Sequence, residues 1–173
     1  LHLLMQEREL LRDELREALA IDEVTGMPNK VALLKSLESQ ISRSRRYNNL
    51  LSIIILRVNN IEQLNHDQTA SLFIPISHLL NDQVRWADIV GKLSNSDFLL
   101  VLPETAVDAC KNLTENLSKN LNDLSLSENL PENYKINVSF GYTEWAKGDD
   151  LTLLMKNNKK KMQTYNDRTE VIK

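Results

Sequence analysis

The segment Leu50 to Val58 reads LLSIIILRV, and it constrains the fold more than any other stretch of the chain. Apolar residues occupy both alternations, interrupted only by Ser52 before Arg57 is reached. Such a run is a buried strand, not a strand with one wetted face. It is far too short to span a bilayer. A buried strand needs cover, and the segments on either side of it carry helical patterns.

Upstream, a helix is predicted to begin near Pro28 or Asn29 and to run to about Tyr47, with Val31, Leu34, Leu37 and Ile41 on one face. Asn48 and Asn49 break it. Before it, residues Leu1 to about Ile21 place Leu1, Leu4, Leu11, Leu15 and Ala18 on a heptad seam, with Arg8 as the one charged intruder. Two and a half heptads are short for a coiled coil. The favoured reading is a dimer-forming signalling helix, and the alternative is a helix folded back on its own domain. This divides the chain into an N-terminal helix, residues 1–21, and a domain, residues 22–173.

Downstream of the buried strand, a helix is expected from about Asn60 to Val84, kinked or broken at Pro75. Ile89 to Leu93 and Phe98 to Leu102 are two short strands joined by a turn at Ser94-Asn95-Ser96-Asp97. Pro103 ends the second strand, and Thr105 can cap a helix reaching about Leu121. Asn122 to Asn133 is loop-like. Tyr134 to Trp145 alternates as a strand with Ile136, Val138 and Phe140 on one side. Asp149 or Asp150 can cap a last helix to about Tyr165, and Thr169 to Lys173 reads as an edge strand. The order implies an α/β sandwich with mixed strand directions.

The chain has 173 residues, 42% hydrophobic, enough for one compact domain with its own core. A formal net charge of −3 gives no general attraction to nucleic acid or to an acidic membrane surface. Lys159-Lys160-Lys161 is read as a solvated helix face. The single cysteine, Cys110, permits no intrachain disulfide, is read as a packing residue, and fits a reducing cytoplasm. His2, His66 and His78 show no metal-ligand spacing, and Trp86 and Trp145 are read as packing residues. The first residue is Leu, not Met, which fits a piece of a longer protein with a membrane or sensor portion upstream.

Three blocks carry a resemblance to a known family. Asp22 to Lys30, DEVTGMPNK, resembles the D-x-L-T-G-L-x-N-R segment that opens GGDEF domains. Arg85 to Thr105, RWADIVGKLSNSDFLLVLPET, resembles that family's R-x-x-D, spacer, G-G-D-E-F hairpin and L-P-x-T. Val138-Ser139-Phe140-Gly141-Tyr142 resembles its V-S-I-G-V strand. The resemblance implies a palm-like fold related to nucleotide cyclases, with a central, mostly antiparallel sheet flanked by helices. It also implies an ancestral activity, the joining of two GTP molecules into cyclic di-GMP by a dimer that uses divalent metal.

Carried over residue by residue, the resemblance finds the catalytic set dismantled. Phosphoryl transfer of this kind needs carboxylates to hold metal. The aspartate ending the first core strand corresponds to Arg57, and the hairpin's two acidic residues correspond to Ser96 and Asp97. The two hairpin glycines correspond to Ser94 and Asn95, and the aromatic residue is kept as Phe98. The phosphate-contacting lysine corresponds to Glu62, the guanine-contacting asparagine is retained as Asn65, and the guanine-contacting aspartate corresponds to Ala70. The family's late helix corresponds to Asn157–Tyr165, with its lysine replaced by Tyr165. A guanidinium about 4 Å from a divalent ion would repel it by several kcal/mol. Arg57 and Asp97 are therefore expected to pair, with Arg57 standing in for the metal's charge, and no cofactor is expected; magnesium would be required only by an active enzyme.

Two elements remain for function. Arg85 and Asp88 keep the R-x-x-D pattern of the family's product-binding inhibitory site, although the further arginine of that site corresponds to Asn116. The reading adopted is an inactive GGDEF domain that acts as a regulatory and dimerisation module. The alternative is a cyclic di-GMP receptor using Arg85 and Asp88, and active cyclase is a distant third. Expected partners are a second copy through the N-terminal helix, cyclic di-GMP, and a downstream EAL phosphodiesterase domain or a protein partner.

Overall fold

A computed structural model describes residues 2–164. Ten elements follow in order: α1 (His2–Leu19), α2 (Lys30–Tyr47), β1 (Leu51–Val58), α3 (His66–Gln83), β2 (Ile89–Lys92), β3 (Asp97–Pro103), α4 (Val107–Asn122), β4 (Val138–Glu144), α5 (Leu151–Lys160) and β5 (Gln163–Thr164). The five strands form one sheet in the order β2-β3-β1-β4-β5. Every pairing among the described residues is antiparallel, so the expected mixed directions resolve into an antiparallel sheet.

β1 sits at the centre and its side chains alternate between two cores. Ile54, Leu56 and Val58 pack with Leu100 and Leu102 of β3 and with Leu72, Ile76 and Leu117 of α3 and α4. Ile53 and Ile55 pack on the other side with Leu99 and Val101, under Leu33, Leu37 and Leu154 of α2 and α5. Burial of each such aliphatic side chain is worth about 1.5–3 kcal/mol. This two-sided demand explains why β1 has no polar face.

The helices start where side chains cap them. Asn29 Oδ1 accepts the Ala32 N–H at 3.1 Å, and Asp150 Oδ1 accepts the Leu153 N–H at 2.8 Å, as the sequence suggested for Asp149 or Asp150. The buried face of α2 is Leu33, Leu37, Ile41 and Ser44, with Leu34 packed against the same core, so of the expected face only Val31, 59% exposed, is left out. Thr105 is not a cap. Its hydroxyl donates to the Pro103 carbonyl at 2.9 Å, and Ala106 takes the N-cap position of α4 without a side-chain bond.

Helix α3 starts at His66, six residues later than predicted. Asn59 donates to Ser139 Oγ and Asn60 to the Lys135 carbonyl, and these bonds to the strand across the gap compete with helix formation. Asn65 caps α3 in a reciprocal capping box with Gln68. The helix then runs through Pro75 without a break. β4 covers only Val138–Glu144 of the predicted Tyr134–Trp145. Ile136, Val138 and Phe140 nonetheless share one core.

The exposed apolar residues of α1 include Leu3, Leu4, Met5, Leu10, Leu11 and Leu15, each 59–76% exposed. The alternative of a helix folded back on the domain is thus not what the structure shows. The edge strand beside β4 is Gln163–Thr164. The predicted strand at Thr169–Lys173 and the residue Tyr165 lie outside the described residues. No helix among the described residues is long and apolar enough to cross a membrane.

Cys110 is fully buried, and burial pushes its thiol up to about 11. Native protein at pH 8 is expected to leave an aromatic disulfide reagent unreacted, with one thiol per chain appearing only on unfolding in guanidinium.

Candidate functional site

The site lies where β1 and the β2–β3 hairpin end on the α2/α5 side of the sheet. Parity puts Arg57 on the same face as Ile53 and Ile55, and Asp97 on the same face as Leu99 and Val101. Register then sets Arg57 directly opposite Asp97. The guanidinium binds the carboxylate with both arms: Nε donates to Oδ1 at 2.9 Å and Nη2 to Oδ2 at 3.0 Å. Asp97 is 7% exposed and Arg57 40% at the side chain. The hydrogen bond to Asp97 is the largest influence holding the guanidinium's pKa above its usual value, against the opposing pull of burial. Asp97 belongs to the strand and not to the turn, which closes with the Leu93 N–H donating to the Asp97 carbonyl at 2.9 Å.

Ser96 Oγ donates to Asp97 Oδ1 at 2.9 Å, and Ser94 Oγ accepts the Asp97 N–H at 3.2 Å. Ser96 therefore binds the carboxylate, and Ser94 holds the backbone of the same turn. Both Asp97 oxygens accept charged hydrogen bonds, and the carboxylate's partners are a cation and one hydroxyl. This donor set does not fit a divalent ion, which needs several oxygen ligands carrying negative charge. Among the described residues, no group of three His, Cys, Asp or Glu side chains could hold a metal ion.

A cleft of about 840 Å³ opens beside the pair, lined by Lys30, Arg57, Ser94, Ser96, Asp97 and the α5 lysines Lys156, Lys159 and Lys160. The expected late helix forms as far as Lys160, and Tyr165 lies outside the described residues. α5 ends at Lys160, and residues 161–164 are turn and strand. Three lysines of α5 line the cleft. The closeness of α5 to the sheet depends on Gly141, where an added Cβ would lie 2.6 Å from the Asn158 backbone oxygen.

A second cavity, of about 380 Å³, lies on the α3 side of the hairpin and brings together Asn65, Ala70, Lys92 and Asn95. Asn65 is committed to capping α3. Glu62 is exposed on the turn before α3 and lines neither cavity. Phe98 is fully buried against Phe73, with ring centroids 5.5 Å apart.

Lys92 is the residue that the sequence reading missed. Its Nζ sits 3.7 Å from the Phe73 ring centroid and 4.7 Å from that of Phe98, and donates to the Asn95 carbonyl at 3.0 Å. Burial pushes its pKa down to about 8, while Asp22 and Asp97 pull it back up. The two ring faces also favour the charged form. A folded-state pKa below that of the free chain means a stability penalty fully present below pH 8 and relieved as pH rises toward the unfolded value. Relative to Lys92→Met, the native chain is expected to gain about 2 kcal/mol between pH 8 and 10, read from urea midpoints.

The R-x-x-D residues meet each other. Arg85 Nη2 donates to Thr105 Oγ1 at 2.6 Å, to the Pro103 carbonyl at 3.1 Å and to Asp88 Oδ1 at 3.3 Å. Asp88 is 3% exposed at the side chain and accepts the Arg85 N–H at 2.9 Å, closing the turn. Both line a cavity of about 340 Å³. Trp145 packs as expected, 7% exposed with Nε1 donating to the Asp149 carbonyl, but Trp86 does not: it is 97% exposed at the tip of the turn.

A central antiparallel sheet with two helical layers, and a β-hairpin presented at the strand ends, define a palm-like α+β domain. The family model described as "Diguanylate cyclase, GGDEF domain" matches residues 19–170, and the chain belongs to the GGDEF-domain family. It is 29% identical over 119 residues to the diguanylate cyclase DgcP of Pseudomonas aeruginosa, covering 62% of this chain and 16% of that protein. It is 27% identical over 106 residues to the DgcP of Escherichia coli, covering 55% and 31% respectively. The chain thus spans less than a third of the length of either relative. Among solved structures, diguanylate cyclase SiaD of Pseudomonas aeruginosa, crystallised with its activator SiaC, superposes with a TM-score of 0.76 at 24% identity over 92% of this chain and 64% of that one. The GGDEF domain of DgcB from Caulobacter crescentus, in complex with c-di-GMP, superposes with a TM-score of 0.75 at 13% identity over 82% of this chain and 86% of that one. These two likenesses concern the fold.

Proposed function

We propose that this chain is a catalytically inactive GGDEF domain that serves as a regulatory and dimerisation module in cyclic di-GMP signalling. The observation that supports this most is the two-armed Arg57–Asp97 pair, which fills with protein cation the place where the family resemblance puts metal. Ser94 and Asn95 in place of the hairpin glycines add side chains where a nucleotide would need close approach of the backbone. The exposed apolar residues of α1 fit a helix that pairs with a second copy. The neighbour solved with a protein activator supports a role read out through protein contacts. The test is incubation with GTP and magnesium or manganese. No cyclic di-GMP is expected, and its formation at any rate above a no-enzyme control would overturn the proposal.

A second reading, reception of cyclic di-GMP through Arg85 and Asp88, is supported by the cavity that both residues line. It requires the Arg85 guanidinium to exchange Thr105 and Pro103 for ligand. A calorimetric titration with cyclic di-GMP separates the two readings: micromolar binding lost in Arg85→Ala assigns a receptor, and absence of heat leaves the module.

A further inference from the structure

The two helical layers of this domain carry opposite charge. Helices α2 and α5, side by side on one face of the sheet, hold eight Lys and Arg residues against one acid, Glu38. Helices α3 and α4 on the other face hold two Lys against four acids. The chain as a whole is at −3, so the cations of α2 and α5 are segregated onto one layer and are not part of a general basic surplus. A field of one sign gathered on one layer steers an oppositely charged partner toward it.

That field has a concave focus. In the cleft of about 840 Å³, Leu34, Leu151 and Met155 are half-buried over the α2/α5 core and leave an apolar floor open. Lys30, Lys156, Lys159 and Lys160 are exposed around it, and none of them takes part in an ion pair among the described residues. Asp97, the one carboxylate among the described lining residues, is already bound by Arg57. No aromatic ring is among the described lining residues, so a nucleotide base has nothing to stack on. A bilayer is flat and does not reach the floor. Leucine and methionine suit aliphatic side chains instead, and Met155 can adapt its shape to them.

We propose that this cleft docks an acidic, amphipathic segment of a partner protein. Its aliphatic side chains meet the floor, and its carboxylates meet Lys30 and the α5 lysines. The exposed lysines supply fast association and salt dependence, and the floor supplies affinity. Such docking names the face through which the regulatory role is read, and it rests on that role, because a cleft that turned over GTP would not be free for a protein.

Fluorescence anisotropy tests this on the whole chain. The probe is a fluorescein-labelled peptide of glutamate with leucine at helical spacing. It is expected to bind with a dissociation constant below about 100 µM at about 0.15 M salt, and at least about fivefold more weakly at about 0.5 M. The same peptide with lysine for glutamate should not bind. The double variant Lys156→Glu/Lys160→Glu should weaken binding by at least about tenfold. Both are exposed side chains, and an unchanged urea midpoint shows that the fold is intact. Absence of saturable binding up to about 1 mM overturns the proposal, as does binding that survives the double variant. A glutamate peptide without leucine that binds equally well also overturns it, since the floor then contributes nothing. Inorganic triphosphate that binds more tightly than the peptide assigns the cleft to a phosphate ligand, and phosphatidylglycerol vesicles that capture the chain through the same lysines assign it to a membrane; either overturns the proposal. Failure of peptide binding with no cyclic di-GMP formed from GTP overturns this inference alone, whereas cyclic di-GMP formation overturns the regulatory role itself.

Discussion

Arg57→Asp is expected to lower the melting temperature by about 5–10 °C in metal-free buffer, and to create a response to manganese that the native chain lacks. The substitution removes both guanidinium bonds to Asp97 and sets two carboxylates on directly paired positions of neighbouring strands. Breaking a buried pair typically costs about 3–5 kcal/mol. Here Arg57 is 40% exposed, so about 2–3 kcal/mol is the better expectation. Two carboxylates beside Ser96 form the beginnings of an oxygen-ligand site. If manganese binds it with a dissociation constant of about 0.1 mM, adding about 1 mM ion should restore roughly 1.4 kcal/mol. Thermal scans with and without manganese test both halves. A native chain whose melting temperature rises on addition of manganese would show that the Arg57–Asp97 pair does not occupy the metal position, and the proposed function would fall with it.

Gly141→Ala is expected to destabilise the domain by about 3 kcal/mol, a loss of roughly 6–12 °C. Gly141 lies in β4 opposite Ile55 of the central strand, and α5 crosses directly over it. A methyl group there meets the Asn158 backbone and side chain, neither of which is the free end of a flexible group. Asn158 is itself fully buried and its Nδ2 donates to the Ile53 carbonyl at 3.2 Å, so the helix cannot shift without losing that bond. Because α5 carries the lysines of the 840 Å³ cleft, the variant should also perturb that cleft. Denaturant midpoints and the amide signals of residues 151–160 read the two effects. A loss below about 1 kcal/mol would mean that α5 is free to move away from the sheet.

The parts of this fold that were legible in the chain are those set by local pattern. LLSIIILRV announced a strand buried on both faces, and β1 is the centre of the sheet. Asn29 and Asp150 announced helix starts because a short polar side chain before an apolar run satisfies free backbone N–H groups. The pairing of Arg57 with Asp97 follows from two neighbouring strands carrying one cationic and one anionic residue at positions that the resemblance matches to one site. The misreadings fall where a distant segment competes with a local preference. Thr105 looked like a cap, but its hydroxyl is taken by the Pro103 carbonyl and by Arg85. Asn60 looked like a helix start, but its amide reaches across to the 135 carbonyl. Lys92 looked like an ordinary strand residue, because nothing in its neighbours in sequence reveals that two phenylalanine rings will enclose it.

The sequence by itself therefore determined the family, the central strand and the hairpin, since each is written in residue type and spacing over short stretches. Only the tertiary structure decided which charges meet, that α5 turns its lysines toward the cleft, that Asp88 is buried and that Trp86 is bare. Those outcomes depend on strand register and on how closely helices approach the sheet, and both are set by contacts between residues far apart in the chain.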